Sequence, residues 1–302
     1  MINKRLVICQ NTRDFHFSKW ELTEWKKYFK EVSFHYLSDD LKATQIKKDD
    51  IIFVYAFIGF YSHVDCFAKF GIFYPGFAYH PLKNPEKQNI MKPIEHLLTP
   101  YSAIFANEGP IWECYKNHSN FFLVPPSVSN DTFKKTRKRT KFKKIIQVAN
   151  PVWPYKGRHI SEAAMKLMPY EWELVPSTES KIGYVPWKEL PNVYQNADGF
   201  LSPNMIGEPP GYYIDAKYTC AMVEAGLSGC IIFWHDCMNL GNSFETVFEI
   251  SLDPIEIANK VQEVVGSIDL DKHSTKTAKE FYEKCNVENA IKSRIQIMEK
   301  FL

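Results

Sequence analysis

The residues best suited to chemistry lie in two stretches of the second half of the chain. The first, ANPVWPYKGR at 149–158, carries Lys156 and Arg158 on a turn stiffened by Pro151, Pro154 and Gly157. A cation presented there can neutralise a diphosphate and stabilise it as a leaving group. A lysine in a plain surface turn is the alternative. The second, KYTCAMVEAGLSGCIIFWHD at 217–236, puts Lys217 and Thr219 where a loop enters a helix. Backbone N–H groups at a helix start favour an anion, and a nucleotide diphosphate suits them. Glu224 follows within that helix. It is either a solvent-facing helix glutamate or a carboxylate that accepts both hydroxyls of a ribose.

The elements that must position these residues are legible as alternating strands and helices. In the first half, strands are expected at 5–9, 32–37, 51–57, 71–77, 101–106 and 121–124, with helices at 20–29, 63–70 and 110–116. The run 51–57 is apolar throughout, as a central parallel strand requires. The pattern halts at Pro125-Pro126 and restarts with strand 144–149. Strands at 172–175, 199–202, 230–234 and 248–250 then alternate with helices at 161–167, 189–195, 220–226 and 255–265. Residues 275–302 read as one or two helices. Such alternation means parallel sheets covered on both faces. In open parallel sheets ligands bind at the carboxyl ends of the strands, so the loops after each strand are where chemistry belongs.

Composition narrows the class. Hydrophobic residues at 45% and charged residues at 24% describe a globular chain, and 302 residues suffice for two domains. A net charge of +2 excludes a whole-molecule polyanion binder, although KKTRKRTKFKK at 134–144 packs eight basic residues into eleven. This run is either a solvated interdomain linker or, through Lys134, Lys135, Arg137, Lys138, Arg139 and Lys141, a contact for the phosphates of DNA or of a membrane surface. The seven cysteines form no CxxC pair, which fits reduced thiols better than a disulfide frame or a zinc site. The N-terminus enters a strand without a signal-peptide apolar region, and the longest apolar run, 51–61, is too short to span a bilayer. A cytoplasmic protein with at most peripheral membrane contact is expected. There is no GxxxxGK[ST] loop, GxGxxG, HExxH or GxSxG motif.

The segment 144–236 resembles the C-terminal half of the group-1 (family 4) retaining glycosyltransferases of the GT-B fold. Lys156-Gly157 matches the family's Lys-Gly loop. Gly183, Val185, Glu189-Leu190, Tyr194, Ala197-Asp198 and Pro203 follow in the family's order. Glu224-Ala225 and Gly229-Cys230 match the second half of its Glu-x7-Glu motif and the next strand entry. Val124-Pro125, Val128 and Phe133 extend the likeness backward, so that it covers roughly residues 100–265. Three positions depart from the pattern. Asn150 or Pro151 stands where the family has an arginine, and Ala216 stands at the first glutamate. Gln10-Asn11-Thr12-Arg13 replaces a glycine-rich loop.

The resemblance implies two Rossmann-like domains whose parallel sheets face a central cleft. Residues 1–138 would bind the acceptor and 139–284 the nucleotide sugar, with helix 285–302 packing back on the first. It implies transfer of a hexose or pentose from a nucleoside diphosphate sugar, a UDP-sugar ahead of a GDP-sugar, with retention and without metal or cofactor. Glu224 would grip the ribose, Lys156 and Arg158 the diphosphate with help from Lys217 and Thr219, and the backbone near Tyr184 and Val185 the base. Glu208 or Asp215 would touch the donor sugar. His80 would orient it, with His63 as rival and Asp65 and His235-Asp236 as further candidates. The acceptor is a surface glycan, its lipid-linked precursor, or hydroxylated DNA. A non-catalytic sugar-nucleotide binder or partner subunit is the alternative.

Overall fold

The computed structural model describes residues 1–10, 16–36, 46–55, 61, 63–73, 99–151, 153–176, 185–206 and 217–302. In chain order the elements are β1 (Ile2–Gln10), α1 (His16–Tyr28), β2 (Phe29–Tyr36), β3 (Ile51–Tyr55), β4 (Ala68–Phe73), β5 (Ala103–Ala106), α2 (Pro110–Tyr115) and β6 (Phe121–Leu123). There follow β7 (Lys144–Ala149), a 3-10 turn (Pro154–Lys156), α3 (Arg158–Lys166), β8 (Glu171–Pro176), α4 (Leu190–Asn196), β9 (Gly199–Ser202), α5 (Cys220–Leu227) and β10 (Ile231–Trp234). Last come β11 (Val247–Glu249), α6 (Pro254–Ser267), α7 (Leu270–Cys285), α8 (Val287–Met298) and a 3-10 turn (Glu299–Phe301). They form two units, Met1–Ser127 with Val287–Leu302, and Val128–Asn286.

The first unit holds a parallel six-stranded sheet, β2-β1-β3-β4-β5-β6. Its centre is the apolar β3, buried on both faces. Alternate side chains sort to opposite faces. Leu6, Ile8, Phe53 and Phe70 pack with Trp25 and Phe29 and with Ile291, Ile295 and Met298 of α8. Val7, Cys9, Ile52, Val54 and Ile104 pack with Ile111 and Tyr115. Between α1 and α8 lies a buried ion pair, Arg294 Nη1 to Glu21 Oε2 at 2.7 Å, with both side chains 1% exposed. Glu21 also accepts the Tyr55 hydroxyl.

The helix expected at 63–70 is corrected. Residues 68–73 form β4, registered from Ile51↔Ala68 to Tyr55↔Ile72 on one side and against β5 on the other. Phe70 and Ile72 alternate with Lys69 and Gly71, and completing the sheet overrides the helix-like spacing of the local apolar residues. The strand expected from residue 71 is the second half of this one.

The second unit repeats the plan with five parallel strands, β11-β10-β9-β7-β8. Asp253 caps α6 by accepting Ile255 N (2.8 Å) and Glu256 N (3.0 Å), and Asp269 caps α7 through Lys272 N at 3.0 Å. Val128 opens the unit and Asn286 closes it, joined in a parallel bridge.

The basic run belongs to this unit, which corrects its reading as a free linker or phosphate contact in three positions. Arg139 is fully buried and donates to Ala197 O (3.1 Å) and Tyr194 O (3.2 Å). Arg137 pairs with Asp198, and Lys135 meets Asp271 at 2.8 Å. Alternate residues of an extended segment point to opposite sides. These three therefore anchor the segment, while Lys134 and Lys138 face solvent, as do Lys141 and Lys143 beyond them.

Candidate functional site

In the second sheet the chain passes from β7 out to β8, then returns to the far side of β7 to form β9. The loops leaving the carboxyl ends of β7 and β9 therefore diverge, and such a switch point is where open parallel sheets take ligands. The loop after β7 makes the 3-10 turn that carries Lys156. Gly157 ends the turn at φ 64°, and a Cβ there would lie 2.0 Å from the Pro203 carbonyl oxygen. Only glycine allows so close an approach of the turn to the backbone beyond β9. Met205 N donates to Tyr155 O at 2.8 Å from the same backbone, and Gln147 Nε2 donates to Lys156 O at 2.6 Å. The turn is held from two sides.

Lys156 is half-buried. Burial pulls its ammonium down to about 8, while the Cys220 thiol nearby works in the opposite direction. Cys220 is the first residue of α5, which Thr219 caps by accepting Met222 N at 3.1 Å. Lys217 is 3% exposed, its carbonyl takes Trp234 Nε1 at 2.8 Å, and its ammonium lies 5.1 Å from the Tyr218 ring centroid. Burial pushes the Cys220 thiol up to about 12, with Glu224 adding to the shift and Lys156 opposing it.

Glu224 is not a solvent-facing helix residue: it is 4% exposed and accepts the Tyr194 hydroxyl at 2.8 Å. Burial pushes its carboxyl up to about 8, against the lowering effect of the tyrosine hydrogen bond. Among the described residues it has no ion-pair partner. Lys217, Thr219 and Glu224 thus share the loop and helix that follow β9, and Lys156, about sixty positions earlier in the chain, interacts with Cys220 at the first position of that helix.

The other candidates are placed differently. Arg158 points toward β8, where its Nη2 donates to Leu174 O at 3.1 Å, and burial lowers its pKa. Val185 N donates to Pro176 O at 3.2 Å, which fixes the backbone beyond β8. His63 is exposed, and Asp65 meets Lys48 at 3.7 Å on the surface. His235 Nδ1 contacts Ile250 O at 2.8 Å, and Asp236 takes Gly241 N at 2.6 Å, so both serve the turns beyond β10. His80, Tyr184, Glu208 and Asp215 lie outside the described residues.

Three further residues belong to the site although no motif marks them as such. Tyr194 matches the family pattern without a role of its own there, and it is the partner of Glu224. Gln147 was visible as the one amide inside KIIQVA. Asn204, directly after the Pro203 that touches Gly157, is 3% exposed, and its Nδ2 has no hydrogen-bond partner among the described residues. No group of three or more His, Cys, Asp or Glu among the described residues is placed to hold a metal ion. No helix there is long and apolar enough to cross a membrane.

No family model matches the chain, and no curated protein matches it in sequence. Solved structures do resemble it. AviGT4, a glycosyltransferase involved in avilamycin A biosynthesis, superposes with a TM-score of 0.60 at 9% identity, covering 99% of this chain and 98% of that one. The lipopolysaccharide outer core galactosyltransferase WaaB gives 0.56 at 14% identity, covering 98% and 99%. TarM gives 0.60 at 12% identity over 83% of this chain, which spans 55% of TarM's length. S. aureus TarM carrying the ligands fondaparinux, alpha-GlcNAc-glycerol and UDP gives 0.58. At such identities the likeness establishes the fold: two Rossmann-like units of the GT-B type.

Proposed function

We propose that the chain is a glycosyltransferase that moves a sugar from a nucleoside diphosphate sugar to an acceptor hydroxyl, with the donor nucleotide in the second unit. The observation that carries this reading is Glu224, a buried carboxyl on the helix that follows β9, whose first residue, Cys220, interacts electrostatically with Lys156. The ribose hydroxyls donate to Glu224. The diphosphate lies between the Lys156 ammonium and the positive end of α5, which together stabilise the charge that develops as the glycosidic bond breaks. Transfer proceeds with retention and without a metal ion. A UDP-sugar is the favoured donor, in keeping with the UDP bound to TarM. The acceptor is a glycan, free or lipid-linked, as the names of WaaB and TarM's ligand suggest by analogy.

A melting panel with UDP, GDP, ADP and CMP and their sugars, on the wild type and on Glu224→Ala, tests the reading. A ligand at 100 times its Kd adds about 2.7 kcal/mol, a rise of roughly 5–11 °C for a unit of this size, at about 2–4 °C per kcal/mol. One nucleotide family should raise the wild-type midpoint and leave the variant unmoved. No rise with any nucleotide would instead indicate a GT-B protein without donor function. A shift without turnover on any acceptor would leave a non-catalytic binder.

A second reading of the acceptor, hydroxylated DNA, is favoured by Lys134, Lys138, Lys141 and Lys143, which face solvent on an anchored segment. Duplex affinity should then fall steeply with salt and drop further on charge reversal of these lysines, with nucleotide affinity unchanged. Absence of duplex binding at low salt removes this reading.

A further inference from the structure

We propose that Asn204 is a donor-site ligand whose Nδ2–H groups bond the diphosphate of the nucleotide sugar beside Lys156. The proposal rests on the nucleotide-sugar reading of the second unit and deepens it. Three observations place the residue. Pro203 O lies against Gly157, and Met205 N donates to Tyr155 O at 2.8 Å, so Asn204 sits between two contacts with the turn that presents Lys156. It follows β9, one of the two strands whose diverging loops make the switch point. It is 3% exposed, and its Nδ2 has no hydrogen-bond partner among the described residues.

A buried donor without an acceptor weakens the empty fold, because it has surrendered its water and received nothing in return. Such a group calls for a partner, and a bound ligand is one that can supply it. The missing partner must be an acceptor, and a diphosphate presents several. No arginine precedes Lys156-Gly157, where Asn150 and Pro151 stand, and Arg158 donates to Leu174 O on β8. A carboxamide supplies hydrogen bonds to phosphate oxygens without bringing another cation close to Lys156.

The test is calorimetry of the full chain with UDP, GDP and ADP and with the matching nucleosides, on wild type, Asn204→Ala and Asn204→Asp, together with melting of each empty protein. Asn204→Ala should weaken the bound diphosphate about tenfold, the worth of a hydrogen bond to a charged group. Asn204→Asp, which keeps the shape but opposes the anion, should weaken it by about a hundredfold or more. Nucleoside affinity should stay put in both, and empty Asn204→Ala should melt no lower than wild type. Diphosphate affinity within twofold of wild type in both variants overturns the proposal while leaving the donor site standing. So does equal loss of nucleoside and diphosphate, or a lowered melting point of empty Asn204→Ala, since either marks a packing role. A wild type that binds no nucleoside diphosphate overturns the donor-site reading and this proposal with it.

Discussion

Each unit buries a glutamate on a helix beside its parallel sheet, and each glutamate accepts a tyrosine hydroxyl: Glu21 from Tyr55, Glu224 from Tyr194. The resemblance ends at the counter-charge. Glu21 is met by Arg294 at 2.7 Å. Glu224 has no ion pair among the described residues, and burial raises its carboxyl to about 8. A buried charge that carries its own partner is complete, and it joins α1 to α8. A buried carboxyl without one is held in a costly environment, and it lies where the strand order reverses. The same pair of groups thus serves cohesion in one unit and, on our reading, ligand capture in the other.

The comparison can be broken most forcefully in the first unit. Arg294→Met should cost about 3–5 kcal/mol, because it strands a buried charge. The double variant with Glu21→Leu should recover much of the loss, as urea denaturation will show. Glu224→Gln has no pair to break and should leave the second unit at least as stable, while removing nucleotide binding.

A smaller effect sharpens the contrast through pH. The folded pKa of Glu224, about 8, lies above the ordinary 4.5. The folded chain keeps a proton that the unfolded chain gives up between those values. This stabilisation is complete below about 4.5 and is lost as pH rises through about 8. Lys156 runs the other way, its folded value of about 8 lying below the ordinary 10.5. The unfolded chain binds that proton more tightly, so stability is lost as pH falls from 10.5 through about 8. The second unit should be least stable in mildly alkaline solution. Glu224→Gln should flatten the acid limb of the denaturation profile and Lys156→Met the alkaline one.

The smallest signal is a proton count. At neutral pH Glu224 is protonated and Lys156 charged, whereas ribose and diphosphate require both ionised. UDP binding should release close to one proton below about pH 8 and take one up above it. Calorimetry in buffers of different ionisation enthalpy reads the sign. Indifference to the buffer would remove Glu224 from the ribose contact.

The sequence carried the second unit further than the first. Strands β7 and β9 fall where their apolar runs begin and end, and Lys156 and Glu224 stand out in the sequence by residue type and spacing alone. Local period identifies such elements because one face is always buried. It failed at β4, where residues 63–70 have helix-like spacing and the neighbouring strands decide. It also failed for the basic run, since charge density in sequence says nothing of the Asp198 and Asp271 that await Arg137 and Lys135. The partnership of Tyr194 with Glu224, thirty positions apart, and the idle amide of Asn204 exist only once the chain has folded.

The interleaving of the two units gives them an order of birth. The second unit is complete when Asn286 reaches Val128. The first begins earlier, yet it lacks Ile291, Arg294, Ile295 and Met298 until α8 is made. At typical rates of synthesis the interval from residue 128 to the last helix is roughly ten to thirty seconds. Throughout it, the nascent sheet carries Glu21 without its arginine and an apolar face without its cover. On the ribosome the earlier-made unit is therefore the later to mature, and it is the one that chaperones and proteases have time to find.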